Sequence, residues 1–69
     1  MFDHYETLGV SKEATPAELK AAWRRAASAA HPDREGGSTE RMAAVNAAYD
    51  ALIDPVKRLR YDTTGEEHF

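Results

Sequence analysis

The chain has 69 residues, 42% of them hydrophobic, with a net charge of −3 and no cysteine. A chain of that length makes one small domain burying about 60% of its unfolded surface, and the lack of cysteine excludes a disulfide-framed mini-protein or a thiolate metal site. The acidic balance argues against nucleic acid as the main partner, because phosphate binding needs a basic surface.

Asp3 with Glu6 three residues on forms a capping-box pattern that predicts a short helix over about 3–8, closed by Gly9 in a left-handed conformation. Tyr5 and Leu8 share its inner face. Met1-Phe2-Asp3-His4-Tyr5 has neither the positive nor the apolar region of a signal peptide, and no apolar run approaches membrane-spanning length. A cytoplasmic, monomeric domain with no membrane partner is the expectation.

After the connector Val10-Ser11-Lys12-Glu13-Ala14, the run Thr15-Pro16-Ala17-Glu18 is a second capping box with proline at the first helical position, predicting a helix over 16–30. Steps of 100° place Leu19, Ala22, Trp23, Ala26 and Ala30 on one face and Lys20, Arg24 and Ala27 on another. Pro32 disfavours helical geometry at His31, so the chain turns there. One more turn of the same rotation carries the Lys20/Arg24 row to His31, which makes the strip and the turn one surface.

Arg34-Glu35-Gly36-Gly37 is loop by composition, with Ser38 or Thr39 as the next cap. Met42, Val45, Tyr49, Leu52 and Ile53 recur at helical spacing, predicting a helix over 39–53 that ends at Asp54-Pro55 and packs antiparallel to its predecessor. Asp54 can cap and Pro55 start a last helix over about 55–62, with Val56 and Leu59 as its apolar edge and Gly65 closing it. The expected fold is all-α, with four helices in residues 1–69. Its core is Tyr5, Leu8, Leu19, Trp23, Met42, Val45, Tyr49 and Leu52.

The serines at 11, 28 and 38 occupy no nucleophile-elbow context, so no catalytic residue is assigned and the chain is not expected to be an enzyme. His4, His31 and His68 are too scattered for a metal site, and no cofactor is expected. A helix-turn-helix DNA binder is an alternative, opposed by Glu18, Asp33 and the net charge. An acidic protein partner suits the surface better: the cationic strip steers, and a carboxylate on a rigid turn makes one charge-assisted contact.

These residues resemble the J domain of the DnaJ family over nearly the whole chain. Asp3 to Val10 is similar to the family's D-x-Y-x-x-L-G-V opening, Glu18-Leu19-Lys20 and Trp23-Arg24-Arg25 to its basic second helix, and His31-Pro32-Asp33 to its signature tripeptide. Asn46-Ala47-Ala48-Tyr49 with Leu52 is similar to N-x-A-Y-x-x-L, and Asp54-Pro55 with Lys57-Arg58 and Tyr61-Asp62 to D-x-x-K-R-x-x-Y-D. The resemblance implies a co-chaperone module that binds the ATP form of a DnaK-class (seventy-kilodalton heat-shock) chaperone and stimulates its ATP hydrolysis. It implies that Asp33 pairs with an arginine near the partner's interdomain linker, that His31 and Pro32 hold the turn, and that Lys20, Arg24 and Arg25 meet an acidic surface. Arg34, next in the chain, joins the expected partner-binding set. A J-like module for a different acidic partner is the alternative within this reading. Trp23 stands where tyrosine is commoner, and Ala26, Ser28 and Ala30 where larger or basic residues are frequent. Trp23, Met42 and Tyr49 are therefore expected to fill the space.

Overall fold

The computed structural model describes residues 3–64. Within them the chain is all-α: α1 (His4–Leu8), α2 (Pro16–Ala30), α3 (Thr39–Ile53) and α4 (Pro55–Thr64).

Local chemistry sets each boundary. The Asp3 carboxylate accepts from Glu6 N–H at 2.7 Å, and the Glu6 carboxylate accepts from Asp3 N–H at 3.5 Å, completing the first box. Gly9 ends α1 at φ 72°, ψ 38°, a conformation that costs other residues a clash between Cβ and backbone. Thr15 and Glu18 repeat the reciprocal cap at α2, with bonds of 3.2 and 2.8 Å. Before α3, Ser38 Oγ accepts from Arg41 N–H at 3.1 Å. Asp54 Oδ1 accepts from Val56 and Lys57 N–H at 2.8 and 3.3 Å to start α4. This last helix continues two residues beyond the predicted end, where Thr64 Oγ1 donates to the Arg60 carbonyl at 2.9 Å.

Cross-links pair Ala30 with Ser38 and Trp23 with Asn46 and Tyr49, so α2 and α3 run antiparallel. Between them lie Leu19, Ala22 and Ala30 from α2 and Val45, Ala48 and Leu52 from α3, joined by Tyr5 and Leu8 from α1 and by Ala14. Leu19 and Leu52 are the largest fully buried side chains. Three of the expected core residues lie at its margin: Trp23, Met42 and Tyr49 are half-buried and flank the cluster. An indole N–H needs a polar partner, and at the rim it finds one, donating to Asn46 Oδ1 at 3.0 Å. The indole stacks on Tyr49 with ring centres 4.8 Å apart and planes inclined by 23°. Ala22 and Ala30, which the helical periodicity placed on this face, and Ala48, which it did not single out, are fully buried at the helix contacts. Ala27, expected beside Lys20 and Arg24, is half-buried against the same cluster.

The last helix corrects another expectation. Val56 and Leu59 are 65% and 68% exposed, and α4 contributes no buried residue. Its inward side carries the Tyr61 ring, packed against the core cluster, and polar groups that satisfy the hydroxyl of Tyr5, a residue only 2% exposed. That hydroxyl donates to Asp62 Oδ1 at 2.5 Å and accepts from Arg58 Nε at 3.2 Å. Arg58 also donates to the Lys12 carbonyl at 3.0 Å. Tyr61 Oη accepts from the His4 N–H at 3.1 Å, and its ring lies 4.6 Å from the His4 ring. Gly65, assigned to close this helix, lies outside the described residues.

Candidate functional site at the hairpin turn

His31 leaves α2 with φ −57° and ψ 135°, an extended geometry that its following proline favours. The Arg34 N–H donates to the His31 carbonyl at 2.9 Å, making a turn around Pro32 and Asp33. The Asp33 N–H donates to His31 Nδ1 at 3.2 Å. The His31 and Asp33 side chains are 53% and 92% exposed, and Asp33 Oδ2 lies 3.7 Å from Nδ1. The tripeptide thus displays an almost fully hydrated carboxylate whose own backbone is fixed by the neighbouring imidazole.

Lys20 and Arg24 are exposed on α2, spaced by four residues and in register with His31 on the helical rotation. Arg25 departs from this strip. One residue past Arg24 it is turned by about 100°, and it lines a shallow cleft with Gly9, Ser11, Glu13, Glu18 and Ala21. Glu18 in that cleft has its carboxyl held below the ordinary value by hydrogen bonds from the Thr15 backbone and hydroxyl. Arg34 and Pro32 are exposed in the turn. The structure therefore brings together His31, Pro32, Asp33 and Arg34 on the turn, with Lys20 and Arg24 along one flank of α2 and Arg25 on another.

One residue not singled out from the sequence, Arg41, completes the turn. Arg41 Nη1 donates to the Gly36 carbonyl, and Gly36 adopts φ +84°. Gly37 N–H donates to the Arg34 carbonyl at 2.9 Å, and Ser38 N–H to the Ala30 carbonyl at 3.0 Å. The glycine pair signals a loop, but nothing local tells which carbonyl Arg41 will reach. Among the described residues no group of three or more His, Cys, Asp or Glu side chains is placed to hold a metal ion. None of these helices is long and apolar enough to cross a membrane.

The family model described as the DnaJ domain matches residues 3–62. A protein named DnaJ protein homolog 2 from Allium porrum is 53% identical over 64 residues, covering 93% of this chain and 15% of that protein. Chaperone protein DnaJ from Leifsonia xyli subsp. xyli is 48% identical over 71 residues, covering 100% of this chain and 19% of the relative. The chain spans less than a fifth of the length of these curated relatives. Among solved structures, the J-Trx1 fragment of ERdj5 superposes with a TM-score of 0.82 at 33% identity, covering 96% of this chain and 33% of that one. With its four capped helices, its His31-Pro32-Asp33 turn and a family match running from Asp3 to Asp62, the chain belongs to the DnaJ domain family.

Proposed function

We propose that this chain is a co-chaperone module that binds the ATP form of a DnaK-class chaperone and stimulates its ATP hydrolysis. The observation that carries the proposal is the Asp33 carboxylate, 92% exposed at the tip of a turn whose backbone is fixed by hydrogen bonds. Such a group makes a charge-assisted contact with a cation on the partner, and breaking a desolvated charge pair of this kind costs about 2–5 kcal/mol. Lys20 and Arg24 form a short exposed cationic strip on α2, with Arg34 exposed in the turn itself and Arg25 on another flank of the helix. Exposed charges of this sort contribute little per pair and act mainly on encounter rate and orientation. Stimulation then follows from tighter binding to one conformer of the ATPase than to another, since a ligand shifts an equilibrium only by differential affinity.

The test is single-turnover ATP hydrolysis by a DnaK-class chaperone with the wild-type chain, His31→Gln and Asp33→Asn. Both variants should keep the helical circular-dichroism spectrum and melting point while losing stimulation. Full stimulation by both would sink the proposal. Binding to an acidic partner other than the chaperone, with no effect on ATP turnover, would favour the J-like adaptor reading instead.

A further inference from the structure

The turn that carries Asp33 has no buried side chain to anchor it: residues 31–36 are all exposed. Its position is set by backbone. Arg34 N–H to the His31 carbonyl and Gly37 N–H to the Arg34 carbonyl, 2.9 Å each, make two successive turns, and Ser38 N–H to the Ala30 carbonyl at 3.0 Å closes them onto the end of α2. At that closure Gly37 is pressed against the helix end. A Cβ built on it would overlap the His31 carbonyl oxygen and stand 2.8 Å from the carbonyl carbon and oxygen of Ala30. Its φ is not positive, so space, and not backbone conformation, demands glycine here. Any larger residue must push the start of the tripeptide away from the start of α3. On the other side Arg41, in the first turns of α3, donates to the Gly36 carbonyl and ties the loop down.

We infer that Gly37 and Arg41 are positioning residues, fixing the height and direction at which His31-Pro32-Asp33 leaves the hairpin and so setting how strongly a docked ATPase is stimulated. This rests on the chaperone reading above. Gly37 acts by allowing close approach of backbone to backbone, and Arg41 by holding a carbonyl three residues beyond Asp33. A displacement of about 1 Å can cost up to roughly a hundredfold in a step that depends on geometry. Neither residue belongs to the Lys20/Arg24 strip, so docking strength is left nearly intact. The loss falls on the plateau of stimulation and spares the concentration needed for half of it.

The experiment titrates a DnaK-class chaperone with wild-type chain, Gly37→Ala, Arg41→Ala and Arg41→Lys, following single-turnover ATP hydrolysis. In parallel, ¹H–¹⁵N spectra of the free proteins are recorded. Gly37→Ala should lower the plateau about tenfold and Arg41→Ala about threefold, with half-saturating concentrations within about twofold of wild type. Arg41→Lys, which keeps a donor for the Gly36 carbonyl, should recover much of the loss. The Asp33 and Arg34 amide resonances should move in Arg41→Ala while those of α1 stay in place. Wild-type plateaus in both Gly37→Ala and Arg41→Ala would overturn the inference, as would a loss expressed entirely in the half-saturating concentration. If Gly37→Ala does not fold, the two Arg41 variants decide by the same criteria. Absence of stimulation by the wild-type chain is a failure of the chaperone reading. Unmoved Asp33 and Arg34 resonances in Arg41→Ala are a failure of the positioning role, whatever the chaperone does.

Discussion

The Tyr5 hydroxyl donates to Asp62 at 2.5 Å, joining the first helix to the last across 57 residues of sequence. The same oxygen accepts from Arg58, whose guanidinium lies 5.6 Å from the centre of the Tyr5 ring. This polar knot does for α4 what apolar burial does for the other three helices.

Removing the hydroxyl tests its weight. Tyr5→Phe should lower stability by about 1–2 kcal/mol, which in a domain of this size lowers the melting temperature by roughly 4–16 °C. Hydrogen exchange should show faster opening of the α4 amides, with those of α2 and α3 changed only by the global loss. A variant as stable as wild type, with α4 protection intact, would refute this account of the docking.

Alkaline pH reaches the same group. Burial, reinforced by the bond to Asp62 and opposed by Arg58, raises the Tyr5 hydroxyl above its ordinary value of 10.0. The folded state therefore holds this proton more tightly than the unfolded chain. Its contribution is fully present below pH 10 and is lost as pH rises through the raised folded value. Urea midpoints measured from pH 8 to 11 should fall at the upper end, and Tyr5→Phe should fall less.

Glu18 gives the opposite sign. Its carboxyl is lowered from 4.5 by hydrogen bonds from Thr15, so what the cap contributes is present above that value and is lost as pH drops through the folded one. Between pH 5 and 3, Glu18→Gln should lose less stability than wild type. Equal acid sensitivity of the two proteins would dismiss the cap as its source.

Leu52, 1% exposed on α3, and Leu19, fully buried on α2, face the same cluster. Truncating either to alanine should cost about 2–5 kcal/mol. For so small a domain that is a large share of the total. Urea or thermal melts followed by the fluorescence of Trp23, the single tryptophan, would read it directly. A loss below about 1 kcal/mol would mean that the core collapses around the gap.

Reversing charge on the strip should act differently from changes in the turn. Lys20→Glu with Arg24→Glu is expected to raise the half-saturating concentration for ATPase stimulation about tenfold at low salt, with the difference shrinking as salt rises. The melting temperature should stay within a few degrees. Unchanged half-saturation would remove the strip from the proposed interface.

The helix boundaries were legible in the sequence because their causes are local. Capping boxes at Asp3/Glu6 and Thr15/Glu18, and prolines at 16 and 55, act within three or four residues. The orientation of α4 was not legible. Val56 and Leu59 make an apolar edge in the sequence, yet the side that meets the core carries Tyr61, with Arg58 and Asp62 reaching the buried Tyr5 hydroxyl, a partner distant in sequence. The turn was legible as a tripeptide beside a cationic row, but the tight seat of Gly37 against Ala30 depends on where two helices meet. Arg25, grouped with Lys20 and Arg24 by the family resemblance and kept apart from them by the helical rotation, lines a different flank.

Ala22, Ala30 and Ala48 expose no surface at all. Where methyl groups form much of a seam there are few long side chains to change rotamer and absorb a load, and interiors packed in this way transmit strain. The hairpin is therefore a stiff strut: a push delivered at its turn moves the whole rod pair, with little cushioning along its length.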